Sequence, residues 1–165
     1  DRLVHSFYAK NVDLENFEKT MASLGKIIEG TLNEKLMFQD AKILLEETNL
    51  RGWMSACVSA SPYELLKNKL IKANIFDYFS YVIGGDQVER NKPYPDIYNK
   101  AISELQTTKN IVIEDSPPGI SSGKASGSFV VAIDRGIFSK DELNKADLIV
   151  DNLSIDIIET VFNSL

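Results

Sequence analysis

Three short strings in this chain carry residue types that could do chemistry together. In Val58-Ser59-Ala60-Ser61 a hydroxyl residue closes an apolar run and stands just before a helix start. A hydroxyl beside free backbone N–H groups at a helix N-terminus makes an anion site, well suited to phosphate. In Asn91-Lys92-Pro93-Tyr94-Pro95-Asp96 a lysine is held just ahead of a proline-started helix. Its compact charge can neutralise a phosphoryl oxygen or a nucleophilic carboxylate. In the stretch from Asn110 to Gly119 an apolar strand runs into Glu114 and Asp115, hard oxygen donors suited to Mg²⁺. Hydroxyl, cation and acidic pair are the parts needed for phosphoryl transfer. Each has a plainer reading: Ser59 ends a strand, Lys92 is a solvated loop charge, Asp115 caps a helix. Their arrival in order at successive strand ends favours one shared site.

The elements that must position them alternate between helix and strand. Ala41, Leu44 and Leu45 mark a short amphipathic helix ending near Asn49, and Met54 to Ser59 reads as a buried strand. Ser61-Pro62-Tyr63-Glu64 predicts a helix start with Ser61 as N-cap and Glu64 closing a capping box. That helix carries Leu66, Leu70 and Ala73 on one face. Tyr81 to Ile83 predicts a strand, followed by a Gly84-Gly85-Asp86 turn and a helix with Ile97, Ala101, Ile102 and Leu105 inward. Residues 111–113 form the third strand, and a helix through Ile120 and Ala125 ends at Gly127. Phe129 to Ile133 is a fourth strand, Ser139 to Glu142 a second capping box, Leu148 to Val150 a fifth strand and Ile155 to Phe162 a closing helix. This alternation implies right-handed crossovers and an α/β fold with a doubly wound parallel sheet. Ligands of such sheets bind just outside the carboxyl ends of the strands, where the three strings lie. Residues 1–35 predict a separate helical region. Phe17, Met21, Leu24, Ile28 and Leu32 form one apolar stripe, which Gly25 and Gly30 divide into two short helices.

With 165 residues the chain suits one domain with a small appendage, divided here as 1–35 and 36–165. A hydrophobic content of 44% with 25% charged residues supports a real core in a soluble protein. A net charge of −6 without a run of Lys or Arg argues against nucleic acid as a partner. No apolar stretch reaches membrane-spanning length and no signal peptide is visible, so no membrane partner is expected. Cys57, the single cysteine, reads as a small core residue, and a reducing cytoplasm is the expected compartment. His5, the single histidine, has no Cys or His nearby to share a metal.

Across residues 36 to 153 the chain resembles the haloacid dehalogenase superfamily, in its β-phosphoglucomutase-like branch. Val58-Ser59-Ala60-Ser61 is similar to that family's second motif, Lys92 in Asn-Lys-Pro-Tyr-Pro-Asp-Ile-Tyr to the third, and Ile113 to Ile120 to the fourth. The resemblance implies a Rossmann-like core in which the Ser59 hydroxyl and the Ala60 amide bind the transferred phosphoryl group. It implies that Lys92 steadies the nucleophile, that Asp115 holds Mg²⁺ directly and that Glu114 acts on the ion through water. The family's first motif, Asp-x-Asp-Gly-Thr, is not found, and no Asp-x-Asp occurs in the sequence. Its first aspartate would form an aspartyl-phosphate and its second would serve as general acid and base. Its strand would be the centre of the sheet, between the strands ending at Ser59 and at Glu114. Two readings follow: a chain shortened at its amino end, with the nucleophile upstream, or a relative that has lost the motif. Residues 1–35 would then be a short remnant of the family's cap domain. The activity expected by resemblance is a Mg²⁺-dependent phosphatase acting on a small phosphorylated metabolite. A sugar-phosphate mutase is the enzymatic alternative, and an inactive phosphate- and metal-binding or interaction module is the other. The oligomeric state is not legible.

Overall fold

The computed structural model describes residues 37–165. The helical stripe expected at 1–35, and with it the cap remnant and His5, lies outside the described residues. The described elements run α1 (Gln39–Leu50), β1 (Ala56–Val58), α2 (Tyr63–Lys72), β2 (Tyr81–Ile83), α3 (Asp96–Leu105), β3 (Ile111–Glu114), α4 (Pro117–Ala125), β4 (Phe129–Ile133), α5 (Lys140–Leu143), β5 (Leu148–Val150) and α6 (Ile155–Ser164). Every strand pairing among them is parallel: β1 with β2, and β3–β4–β5 with β4 central. This is the doubly wound α/β architecture that the alternation predicts.

The sequence of β4 shows why both faces are covered. Side chains alternate across a strand. Val130 and Ala132 therefore enter one core with Ile83, Ile97, Ala101, Val112, Ile120 and Leu143. Val131 and Ile133 enter the other with Leu44, Leu153 and Ile158. A strand buried on both faces reads as a continuous apolar run, as Phe-Val-Val-Ala-Ile does. Among the described residues β1 and β3 are not paired with each other, so the described sheet has two parts. Val58 of β1 and Ile113 of β3 line a cleft whose wall includes both strand ends.

Two local expectations are corrected. The strand begins at Ala56 rather than Met54, which is exposed. The helix expected from Ser61 begins at Tyr63, with Pro62 at its N-cap and no side-chain cap on that residue. The Ser61 N–H donates instead to the Ser59 hydroxyl at 3.1 Å, so the local box cannot form. The cap comes from a distance: Asp86 accepts from the Tyr63 N–H at 2.8 Å. The second box does form, with Ser139 and Glu142 bonded reciprocally.

Two carboxylates tie loops to the sheet and make the fold sensitive to acid. Asp40 accepts from the backbone N–H of Ala41 and of Leu153 and from Arg135, each at 2.9 Å. Asp147 accepts from the Val130 N–H at 2.8 Å and from Lys124 at 2.6 Å. Burial raises the pKa of both carboxyls, but these hydrogen bonds outweigh it and leave each below the ordinary value of 3.8. A carboxyl depressed in the folded state contributes stability above its unfolded pKa and loses it as pH falls through the folded one. The melting temperature is therefore expected to hold above about pH 5 and to fall steeply below about pH 4. In Asp40→Asn, a shallower acid slope in the same melts would bear out the assignment, and an unchanged slope would reject it.

Candidate active site

The loop after β1 is held from outside. The Ser59 N–H donates to the Ile83 carbonyl at 3.1 Å, the Gly85 N–H to the Ser61 carbonyl at 2.9 Å, and the Asn91 amide to the Ala60 carbonyl at 3.0 Å. Gly84 and Gly85 are required by this approach: a Cβ on Gly84 would collide with the backbone of Tyr63, and one on Gly85 with Asn91. Fixing the loop leaves the exposed Ala60 with a backbone N–H that has no acceptor among the described residues. The Ser59 hydroxyl accepts from Ser61 and keeps its own proton to donate. The anion site expected here thus narrows to these two donors, because the Ser61 and Tyr63 amides are occupied.

Lys92 lies in the loop ahead of α3, at whose start Arg90 grips Asp96 through two hydrogen bonds of 3.0 and 2.8 Å. Its side chain is 9% exposed and forms an ion pair with Glu114, which is 7% exposed. The ammonium also donates to the Val58 carbonyl at 3.0 Å. It therefore bridges the ends of β1 and β3. An ammonium has three donors, so one remains for a ligand. The plainer reading of Lys92 as a solvated loop charge does not hold.

Glu114 is fully engaged. Its Oε1 accepts from Lys92 and from the Tyr98 hydroxyl, the latter at 2.5 Å, and its Oε2 accepts from Ser116 at 3.1 Å. Gly119 lies so close that any Cβ there would collide with the carboxylate. Asp115, next in sequence, is exposed, and no hydrogen bond or ion pair holds it among the described residues. It does not cap α4, since Ser116 does so by accepting from the Gly119 N–H at 3.2 Å. The adjacent carboxylates thus have opposite circumstances, one caged and one without a partner among the described residues. Ser59, Ala60, Lys92, Glu114 and Asp115 line one open cleft of about 440 Å³. Among the described residues no group of three or more His, Cys, Asp or Glu could hold a metal by itself. The free oxygens of Asp115 fit Mg²⁺, which is commonly held by one or two carboxylates plus water and phosphate oxygens.

Sequence reasoning missed Tyr98. Helical periodicity marks it as one residue past inward-facing Ile97, yet it is buried, and a buried tyrosine needs a partner for its hydroxyl. Burial and the neighbouring Glu114 carboxylate push its pKa up, so it stays a donor. Its ring also lies 5.0 Å from the Lys92 ammonium. Tyr98→Phe keeps the ring and removes the hydroxyl. It is expected to cost about 1.5–3 kcal/mol, the range for a hydrogen bond to a charged group, read by urea denaturation. A cost below about 0.5 kcal/mol would show the hydroxyl to be dispensable. Cys57 is excluded as a nucleophile: burial raises its thiol to about 11 despite the nearby Lys92 charge, and it stays protonated at neutral pH.

A parallel α/β sheet thus carries a loop hydroxyl, a caged lysine and, among the described residues, an unpaired carboxylate at adjoining strand ends. Comparison with known proteins gives the family and the fold. The family model for haloacid dehalogenase-like hydrolases matches residues 4–133, and the chain belongs to that family. A phosphorylated carbohydrates phosphatase of Thermotoga maritima is 29% identical over 117 residues, 69% of this chain and 53% of that protein. The chain thus spans about half the length of this curated relative. Among crystal structures, a family IA haloacid dehalogenase hydrolase from Entamoeba histolytica superposes with a TM-score of 0.80 at 20% identity, covering 98% of this chain and 78% of that one. A β-phosphoglucomutase from Clostridium difficile gives 0.74 at 23% identity, covering 83% and 61%. At these identities the two structures speak to the fold, and the fold is the one that the three strings imply. No helix among the described residues is long and apolar enough to cross a membrane.

Proposed function

We propose that this chain forms much of the core of a Mg²⁺-dependent phosphohydrolase acting on a small phosphorylated metabolite in the cytoplasm. One observation carries the reading: the spare donor of Lys92, the Ala60 amide and the Asp115 carboxylate, the last two without a partner among the described residues, line one cleft from three different loops. The Ser59 hydroxyl and Ala60 N–H would hold one phosphoryl oxygen and Lys92 a second. Asp115 would hold the metal, with Glu114 keeping Lys92 in place and reaching the ion only through water. Mg²⁺ when bound supplies Lewis-acid stabilisation of phosphoryl charge. An aspartate carboxylate outside the described residues would attack phosphorus in line and release the alcohol, and water would then cleave the aspartyl-phosphate to orthophosphate. The name of the Thermotoga relative supports a phosphorylated sugar as the substrate class.

The second reading, for a protein in which no Asp-x-Asp precedes these residues, is a module that binds phosphate and metal without turnover. Hydrolysis of p-nitrophenyl phosphate with Mg²⁺ by this chain extended with the sequence that precedes it, run beside calorimetric titration of orthophosphate, separates the two. Turnover supports the hydrolase, and binding without turnover supports the module. Neither, in a sample folded by circular dichroism, overturns both.

A further inference from the structure

Arg135 stands two residues beyond β4, on the wall of the same cleft as Ser59, Lys92 and Asp115. Neither phosphoryl binding nor the metal proposed above uses it. Its side chain is 12% exposed and is fixed on one edge and one face. Asp40 accepts from Nη2 at 2.9 Å, and the guanidinium carbon lies 4.0 Å from the centroid of the Phe38 ring. Asp40 is itself oriented by two backbone N–H groups at 2.9 Å, so its aim does not depend on a flexible partner. The Nε and Nη1 groups of Arg135 have no acceptor among the described residues. Arg135 lines the cleft wall, and no described residue occupies these N–H groups.

A guanidinium held on one edge, with its remaining N–H groups open to a cleft, is preorganised for a second oxyanion. Orienting the fork in advance lowers the entropy lost on binding. We propose that Arg135 binds a second anionic group of the substrate. The site would then select metabolites that carry, besides the phosphoryl group taken by Ser59, Ala60 and Lys92, a carboxylate or a further phosphate. The inference rests on the proposed function. A purely structural Arg135, tying α1 to the end of β4 through Asp40, would show no such preference.

The test uses stable phosphonates on the full chain with Mg²⁺ present. Alkyl phosphonates are titrated by calorimetry beside ω-carboxyalkyl phosphonates and α,ω-alkane diphosphonates of two to four carbons. At least one doubly anionic series is expected to bind about tenfold tighter than the alkyl phosphonate of equal length, about one good charge-assisted contact. Which series does so identifies the second group. Arg135→Lys keeps a charge for Asp40 but loses the fork, and is expected to abolish most of the preference while orthophosphate affinity stays unchanged. Equal affinity for singly and doubly anionic ligands in the wild type overturns the proposal, as does a preference that survives in Arg135→Lys. Failure to bind even orthophosphate would instead overturn the functional reading on which it stands.

Discussion

Glu114→Ala is expected to destabilise the protein by about 3–5 kcal/mol, the cost of stranding a buried charge. The wild-type carboxylate serves three donors, Lys92, Tyr98 and Ser116, within a cage closed by Gly119. Removing it leaves the ammonium with the Val58 carbonyl as its one remaining acceptor among the described residues. It also leaves the buried Tyr98 hydroxyl without a partner. Glu114→Gln retains one carbonyl oxygen, so its cost is expected to fall between wild type and alanine. Replacing both charges, Lys92→Met with Glu114→Leu, should recover most of the loss, because a well-packed apolar pair often matches a buried ion pair. Urea denaturation of wild type, Lys92→Met, Glu114→Leu and the double variant gives the coupling energy directly. A cost below about 1 kcal/mol for the alanine variant would mean that water enters the cage and solvates Lys92.

That cage also marks how far the sequence could be read. Strand and helix order follow from apolar runs and turn residues, and β2, β4 and β5 fall where the residue pattern places them. The three strings do meet in one cleft, because parallel strands carry their carboxyl ends to one edge. Partners across space were not legible. Ser61 and Glu64 satisfy a capping pattern, yet Gly85 draws the Ser61 carbonyl aside and Asp86, 23 residues from Tyr63, supplies the cap. Nothing local says that Tyr98 and Lys92 share one oxygen of Glu114. Arg135 and Asp40, 95 residues apart, belong to no motif and meet only because α1 packs beside the ends of β4 and β5. Periodicity fixes which face a residue occupies, whereas hydrogen-bond partners are fixed by topology.

Asp115→Asn should give the opposite result to Glu114→Ala, although the two residues are neighbours. Asp115 is exposed and no hydrogen bond or ion pair holds it among the described residues, so its loss should move the urea midpoint by less than about 0.5 kcal/mol in stability. The asparagine is nearly the same size but carries no charge to hold a divalent cation. In the proposed hydrolase, losing several kcal/mol of metal-dependent stabilisation corresponds to at least about a hundredfold fall in Mg²⁺-dependent turnover. In the non-catalytic reading, the same substitution should abolish Mg²⁺ binding in calorimetry with no rate to lose. Both readings therefore predict a folded protein that no longer responds to Mg²⁺. A variant that unfolds would place Asp115 in the structural cage with Glu114. One that binds Mg²⁺ as well as the wild type would move the metal away from this strand end altogether, and with it the case for phosphoryl transfer at β3.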